Sequence, residues 1–359
     1  MAVEQPVKIA SPEAIHFYGR PPGVLMKLAI VGCGGMGEAH VRDLAQLKKA
    51  GFDVEVKYLV DVDPARAENL KKKHNLTGAE VLTDYRKTLG KVDAAVIATP
   101  HAEHYSQVMD YVASGSHVLV EKPMVCNLRQ ALDVYEAWRR SGLVVEVAFQ
   151  RHFEKPWVAA RDLVSKGELG SIEMISMILG QAYTGVKGTW RAVKRISCGG
   201  ELIDSGSHFL DIALWITGLR ADEVFAYQDY RGFEIDINTA LVAKLEGGAL
   251  LLFTVAGDDP GWLEVEIFWG EKGRLIVQPP AVLIERRGKG GEAVDLTPYP
   301  SSRPIFNFVK SVLGMEENGS PPICGVRMQE VADAAYRSVE LGRPVKVAEL
   351  YEEIGARRP

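Results

Sequence analysis

The stretch Lys27-Leu28-Ala29-Ile30-Val31-Gly32-Cys33-Gly34-Gly35-Met36-Gly37 joins a short apolar run to a glycine-rich turn, and an amphipathic helical pattern follows it. An uninterrupted apolar run of this length reads as a strand buried on both faces. The turn fits G-x-G-x-x-G, in which glycines permit a tight bend and let a pyrophosphate approach the amides at a helix N-terminus. The next apolar run, Val54-Asp61, closes on an acid. A carboxylate there can accept hydrogen bonds from both ribose hydroxyls of an adenosine and would repel a 2′-phosphate. The pattern implies NAD, with NADP less favoured, held by Gly32, Cys33, Gly34, Gly35, Met36, Gly37 and Asp61. Arg66 lies a turn into the following helix and reads as a solvated charge.

Outward from this stretch the same rhythm continues. Strands are expected at Ala94-Thr99, His117-Val120 and Val144-Ala148, with helices near Gly37-Lys49, Pro64-His74, His104-Ser114 and Leu128-Ser141. After about Phe149 the rhythm changes to helices near Pro156-Lys166 and Glu201-Trp215 and a strand at Ile172-Leu179. Strands then follow at Val224-Tyr230, Asn238-Leu245, Ala249-Ala256, Leu263-Trp269, Arg274-Val277 and Ala281-Arg286, and Gly247-Gly248 suits a tight hairpin. Helices near Pro304-Leu313 and Arg327-Leu341 complete the chain. The expected fold class is α/β. A Rossmann domain over residues 27–148 precedes an α+β domain over 149–359 with a large, mostly antiparallel open sheet, and residues 1–26 form an N-terminal extension. The run Ala249-Val255 is apolar on both alternating faces, so one face needs a cover, either a second subunit or the tail helices.

The 359 residues suffice for two cores, and 47% apolar with 25% charged residues is a globular composition, not a disordered one. A net charge of -5 lacks the basic excess that nucleic acid or an anionic membrane attracts. Cys33, Cys126, Cys198 and Cys324 are dispersed without ligand-like spacing, so they read as reduced thiols, with no metal site. The proline-bearing N-terminal arm has no apolar signal region, and no apolar run is long enough to span a membrane. A cytoplasmic protein is expected.

Chemistry is expected at the strand ends. Thr99-Pro100 follows a buried strand at its carboxyl edge, where ligands bind in an open α/β sheet, and His104 either faces the nicotinamide side or caps a helix. Glu121-Lys122-Pro123 ends another strand at that edge, and Pro123 is a candidate cis proline that turns Lys122 into the cleft. Asp204 and His208 stand four apart, which on a helix places them on one face, as an acid/base couple or as a structural hydrogen bond.

Together, Gly32-x-Gly34-x-x-Gly37, Ala98-Thr99-Pro100 with His104, Glu121-Lys122-Pro123 and Gly199-Gly200-x-Leu202-x-Asp204-x-Gly206-x-His208 resemble the Gfo/Idh/MocA family of oxidoreductases. The resemblance runs from Lys27 to about Val347. It implies hydride transfer between NAD and a ring carbon of a sugar, sugar derivative or cyclitol. Lys122, Asp204 and His208 would be the catalytic trio, Thr99, Pro100, His104 and Glu121 would lie on the cofactor, and the open sheet would mediate a homodimer or homotetramer. Arg151 at the domain junction and Trp190-Arg191 in the following loop are expected substrate contacts. Two other activities share this architecture, reduction of a non-sugar carbonyl or dihydrodiol and non-catalytic dinucleotide sensing.

Overall fold

The computed structural model describes residues 25–359. Apart from Leu25 and Met26, the expected N-terminal extension lies outside the described residues. Strand β1 (Met26–Val31) is buried except at Lys27, as a central strand between two helical layers must be. It leads into α1 (Gly35–Lys49), and the alternation continues through β2 (Val54–Val60), α2 (Pro64–Lys73), β3 (Glu80–Leu82), β4 (Ala94–Ile97), α3 (His101–Ala113), β5 (His117–Val120), α4 (Leu128–Ser141) and β6 (Val145–Val147). Local chemistry fixes several ends. Asp63 accepts the Ala65 amide at 3.0 Å ahead of Pro64, and Asn127 accepts the Gln130 amide at 3.0 Å to start α4. The strands form a parallel six-stranded sheet in the order β3-β2-β1-β4-β5-β6. The order reverses between β1 and β4, which opens a crevice at their carboxyl ends.

The chain continues through α5 (Lys155–Ser165), β7 (Ile172–Ala182), α6 (Lys194–Ser197), α7 (Gly206–Thr217), β8 (Ala221–Asp229), β9 (Asn238–Leu245), β10 (Leu250–Ala256), β11 (Asp258–Gly270), β12 (Gly273–Gln278), β13 (Ala281–Arg286) and β14 (Gly290–Ala293). It ends with α8 (Pro304–Val312), α9 (Pro322–Leu341), β15 (Val345–Lys346) and α10 (Val347–Ile354). The second sheet has nine strands in the order β14-β13-β12-β11-β7-β10-β9-β8-β15, antiparallel except where β10 pairs with β7. Its inner face meets α7, where Phe209 stacks on Phe253 with centroids 5.3 Å apart. The β9–β10 turn uses Gly247 and Gly248, both at positive φ.

Four expectations are corrected. Helix α3 begins at His101, so His104 sits inside its first turn rather than at its start. Helix α7 begins at Gly206, not Glu201, so Asp204 lies in the preceding turn. Helix α8 returns to the first sheet, burying Ile305, Phe308 and Val309 in the core of Leu28, Ile30 and Leu119, with Arg303 paired to Asp43 of α1. The four cysteines are not all thiols, because Cys126 and Cys198 are joined as a disulfide with Cα atoms 5.3 Å apart. Their 72-residue separation hides the pairing from any spacing rule.

On β10 the alternation resolves into an inner row, Leu251, Phe253 and Val255, and an outer row in which Leu250 and Leu252 are 39% and 40% exposed. Val242 on β9, opposite Leu252, is exposed as well. Among the described residues no helix covers this outer face. None is long and apolar enough to cross a membrane.

The cysteine pairing has a direct check. In denaturant without reductant, two thiols should react with a chromogenic disulfide reagent, those of Cys33 and Cys324, rising to four after reduction. Four reactive thiols before reduction would refute the pairing.

Candidate active site

The glycine turn is built for close approach. Gly32 has φ +94°, and a Cβ there would fall 2.4 Å from the Ala98 carbonyl oxygen. A Cβ on Gly37 would fall 2.0 Å from the Gly32 carbonyl oxygen, so helix and strand pack only without side chains. Among the described residues nothing lies within 4 Å of the Cβ position at Gly34 or Gly35, and no side chain caps α1. The first-turn amides therefore face open space, as a pyrophosphate requires. Asp61 stands beside them, accepting the Cys33 amide and the Asp63 amide, each at 2.9 Å. The Cys33 thiol is pushed up to about 12, by burial first and by Asp61 second, which leaves it unreactive. Glu121 points inward and binds His40 of α1 at 2.9 Å, so it ties β5 to α1 beneath the turn.

At the ends of β4 and β5 the chain brings its charged groups together. Thr99 donates to Gln107 at 2.8 Å, Pro100 precedes α3, and the Lys122-Pro123 bond is cis, as expected. Lys122 Nζ donates to Asp204 Oδ1 at 2.7 Å and to the Asp204 carbonyl at 3.0 Å. The opposite carboxylate oxygen accepts from Arg191 Nε at 2.8 Å and from the Tyr183 hydroxyl at 3.2 Å. Burial works against the Asp204 charge, but Lys122 and Arg191 outweigh it and hold the carboxyl far below the usual range.

The histidines divide differently from expectation. Among the described residues Asp204 makes no hydrogen bond to His208, because its turn aims the carboxylate at Lys122, so the i, i+4 couple is absent. His208 is buried, its Nδ1 has no hydrogen-bond partner among the described residues, and its ring stands edge-on to Phe149 at 6.2 Å. Burial, then the nearby charges of Arg151 and Lys122, pull its pKa well below the ordinary value, so the imidazole is neutral. His104 lies against the Pro123 carbonyl at 2.8 Å and the Thr99 carbonyl at 2.9 Å, a structural bridge between the two strand-end loops. His101, which the sequence reading passed over for His104, is the one at the cluster. Its Nδ1 meets the Ser197 carbonyl at 2.8 Å, and its Nε2 lies 3.8 Å from Asp204. Its place directly after Pro100 at the strand's carboxyl edge was the available signal.

Of the expected substrate contacts, Trp190 and Arg191 reach the cluster, Trp190 packing edge-on to His101 at 4.9 Å. Arg151 is buried against Glu264 at 2.5–2.6 Å and lies over Trp157 and Phe209. Tyr183, in the same loop as Trp190, reaches the cluster as well through its hydroxyl on Asp204. The disulfide joins the segment after Lys122 to the segment before Asp204.

Residues 26–149 match the oxidoreductase family described as having an NAD-binding Rossmann fold, and residues 157–276 match the GFO/IDH/MocA C-terminal domain. The chain belongs to this family and is an NAD-binding oxidoreductase. Its relatives include inositol 2-dehydrogenase of Rubrobacter xylanophilus, 28% identical over 90% of this chain and 93% of that protein. Inositol 2-dehydrogenase 2 of Saccharopolyspora erythraea is 27% identical over 90% and 96%. A levoglucosan dehydrogenase solved with NADH and levoglucosan shares the fold, with TM-score 0.80 at 19% identity over 90% of this chain and all of that one.

The position of Asp61 gives a test of cofactor choice. NADH should bind more tightly than NADPH in a fluorescence titration. Asp61→Ala should narrow the gap, chiefly by weakening NADH. Equal affinities in the unmodified protein would remove the assignment of Asp61 to the ribose.

Proposed function

We propose that the chain is an NAD-dependent dehydrogenase of a ring hydroxyl on a sugar, sugar derivative or cyclitol. The observation that carries this reading is the Lys122 ammonium, held 2.7 Å from Asp204 at the carboxyl edge of β5, on the same edge of the sheet as the glycine turn. The names of the relatives, inositol and levoglucosan dehydrogenases, support the substrate class. When bound, NAD accepts the hydride from the substrate carbon. Lys122 hydrogen-bonds the reacting oxygen and stabilises the negative charge that develops there as its proton leaves. His208, neutral in its buried site, takes that proton in oxidation and returns it in reduction. Asp204 acts on Lys122, fixing the ammonium by two contacts, one to its carboxylate and one to its own carbonyl.

The reading extends to assembly. The outer row of the second sheet, Leu250 and Leu252 with Val242, is the face we assign to a homodimer or homotetramer contact. Light scattering at micromolar concentration should give at least a dimer, and Leu252→Lys with Val242→Lys should shift it to monomer. A monomeric unmodified protein would show this face to have another purpose.

The chemistry is tested by a panel of sugars and cyclitols assayed for NADH formation. On a demonstrated substrate, His208→Asn and Lys122→Ala should each lower turnover by about 10²–10⁴-fold while NADH binding stays nearly intact. Because both groups act on one oxygen, the double variant should lose less than the product of the single losses. Wild-type turnover in the His208 variant would return that residue to a packing role.

A further inference from the structure

The loop from Tyr183 to Gly200 carries Lys187, Arg191, Lys194 and Arg195 and no Asp or Glu. Glu234 approaches it from outside, but binds the backbone amide of Lys194 at 2.7 Å. Within the loop a short turn begins at Thr189, whose hydroxyl accepts the Arg191 amide, and this turn aims Arg191 at the catalytic cluster. Two contacts fix the guanidinium. Its Nε donates to Asp204, and its carbon lies 4.5 Å from the centre of the Trp190 ring.

The side chain spans the depth of the site. Arg191 is 39% exposed, whereas the carboxylate it holds is 5% exposed, so the side chain links a buried acid to solvent. Among the described residues its two Nη groups make no hydrogen bond. A planar fork held by Nε and stacked on an indole keeps its terminal pair of donors in one orientation, and that pair matches two oxygens of one oxyanion.

Charge points the same way. Lys122 and Arg191 share the single carboxylate of Asp204. His101, on the third side, is neutral, its pKa pulled down to about 3 by burial first. At the Asp204 carboxylate itself two cations meet one anion, an excess that a neutral polyol would leave unpaired.

We infer that the ring substrate carries an anionic substituent, a carboxylate or a phosphate, gripped by the Nη pair of Arg191 at the mouth of the site. The inference rests on the sugar or cyclitol reading and narrows it. It makes Arg191 the residue that discriminates anionic from neutral rings, while Lys122 and His208 address the reacting hydroxyl.

The test compares matched substrates by NADH formation: a hexose, its hexuronic acid and its 6-phosphate, and an inositol with its monophosphate. One anionic member should exceed its neutral counterpart in kcat/KM by on the order of 10²-fold. The acid and phosphate arms identify which oxyanion it is. Arg191→Gln should bring that preference to within a few-fold, mainly through KM of the anionic substrate. Arg191→Lys should restore only part, because one ammonium does not reproduce the fork. Neutral rings used as well as anionic ones would overturn the inference and leave the sugar reading standing. Equal losses on both members of a pair in Arg191→Gln would also overturn it, showing that the arginine serves Asp204 alone. If no member of either series reduces NAD while NADH still binds, the sugar reading falls and the inference with it.

Discussion

An ion pair almost excluded from water, Lys122 with Asp204, sets the terms for the rest of the molecule. Removing both charges from solvent costs several kcal/mol per ion unless the geometry is good and the remaining polar atoms are satisfied. Here the ammonium has two contacts within Asp204, and the far carboxylate oxygen has Tyr183 and Arg191. Lys122 follows a strand of the parallel sheet, and Asp204 precedes a helix under the antiparallel one. The two sheets must therefore be held in one relation for the pair to close.

The turn that presents Asp204 is held from the opposite side. The Asp236 carboxylate accepts the amides of Gly200 and Leu202 at 2.7 and 2.9 Å and the Tyr336 hydroxyl at 2.8 Å. A Cβ on Gly200 would fall 1.8 Å from the Asp236 carbonyl oxygen. The glycine is thus required by contact with the backbone before β9, and Tyr336 couples the turn to α9. The disulfide between Cys126 and Cys198 adds a covalent link between the same two segments that the ion pair joins.

Much of this was legible in the residue order, because buried parallel strands and a glycine turn leave strong local patterns. What escaped did so for physical reasons. Strand β3 has three residues, none of them buried, too few for periodicity to register. Leu202 and Ile203 are fully buried in the turn before α7 and mimic the apolar spacing of a helix, which drew the expected helix back to Glu201 and placed Asp204 opposite His208. The amphipathic pattern of α8 showed a buried face but not which core would receive it, and that core is the first sheet. Arg151 was read as a cleft residue from its place at the junction, yet Glu264 on β11 takes it inward.

Burial, with that inward arginine adding to it, keeps the histidine neutral without spending Asp204 on it. Arg151 is near His208, and its charge, added to burial, disfavours the imidazolium. For the Lys122–Asp204 pair to stay matched, a further buried acid beside it must not be ionised as well. Glu201 is buried with neither carboxyl oxygen hydrogen-bonded among the described residues. Burial first, and then the charges of Asp236, Asp204 and Asp259, push it up to about 9, so it is neutral near pH 7. Glu266 is raised in the same sense, by burial and by Glu264. An ionised Glu201 would repel Asp204 and weaken its hold on the lysine, so burial on the inner face of the second sheet, by keeping Glu201 neutral, protects the carboxylate that positions Lys122.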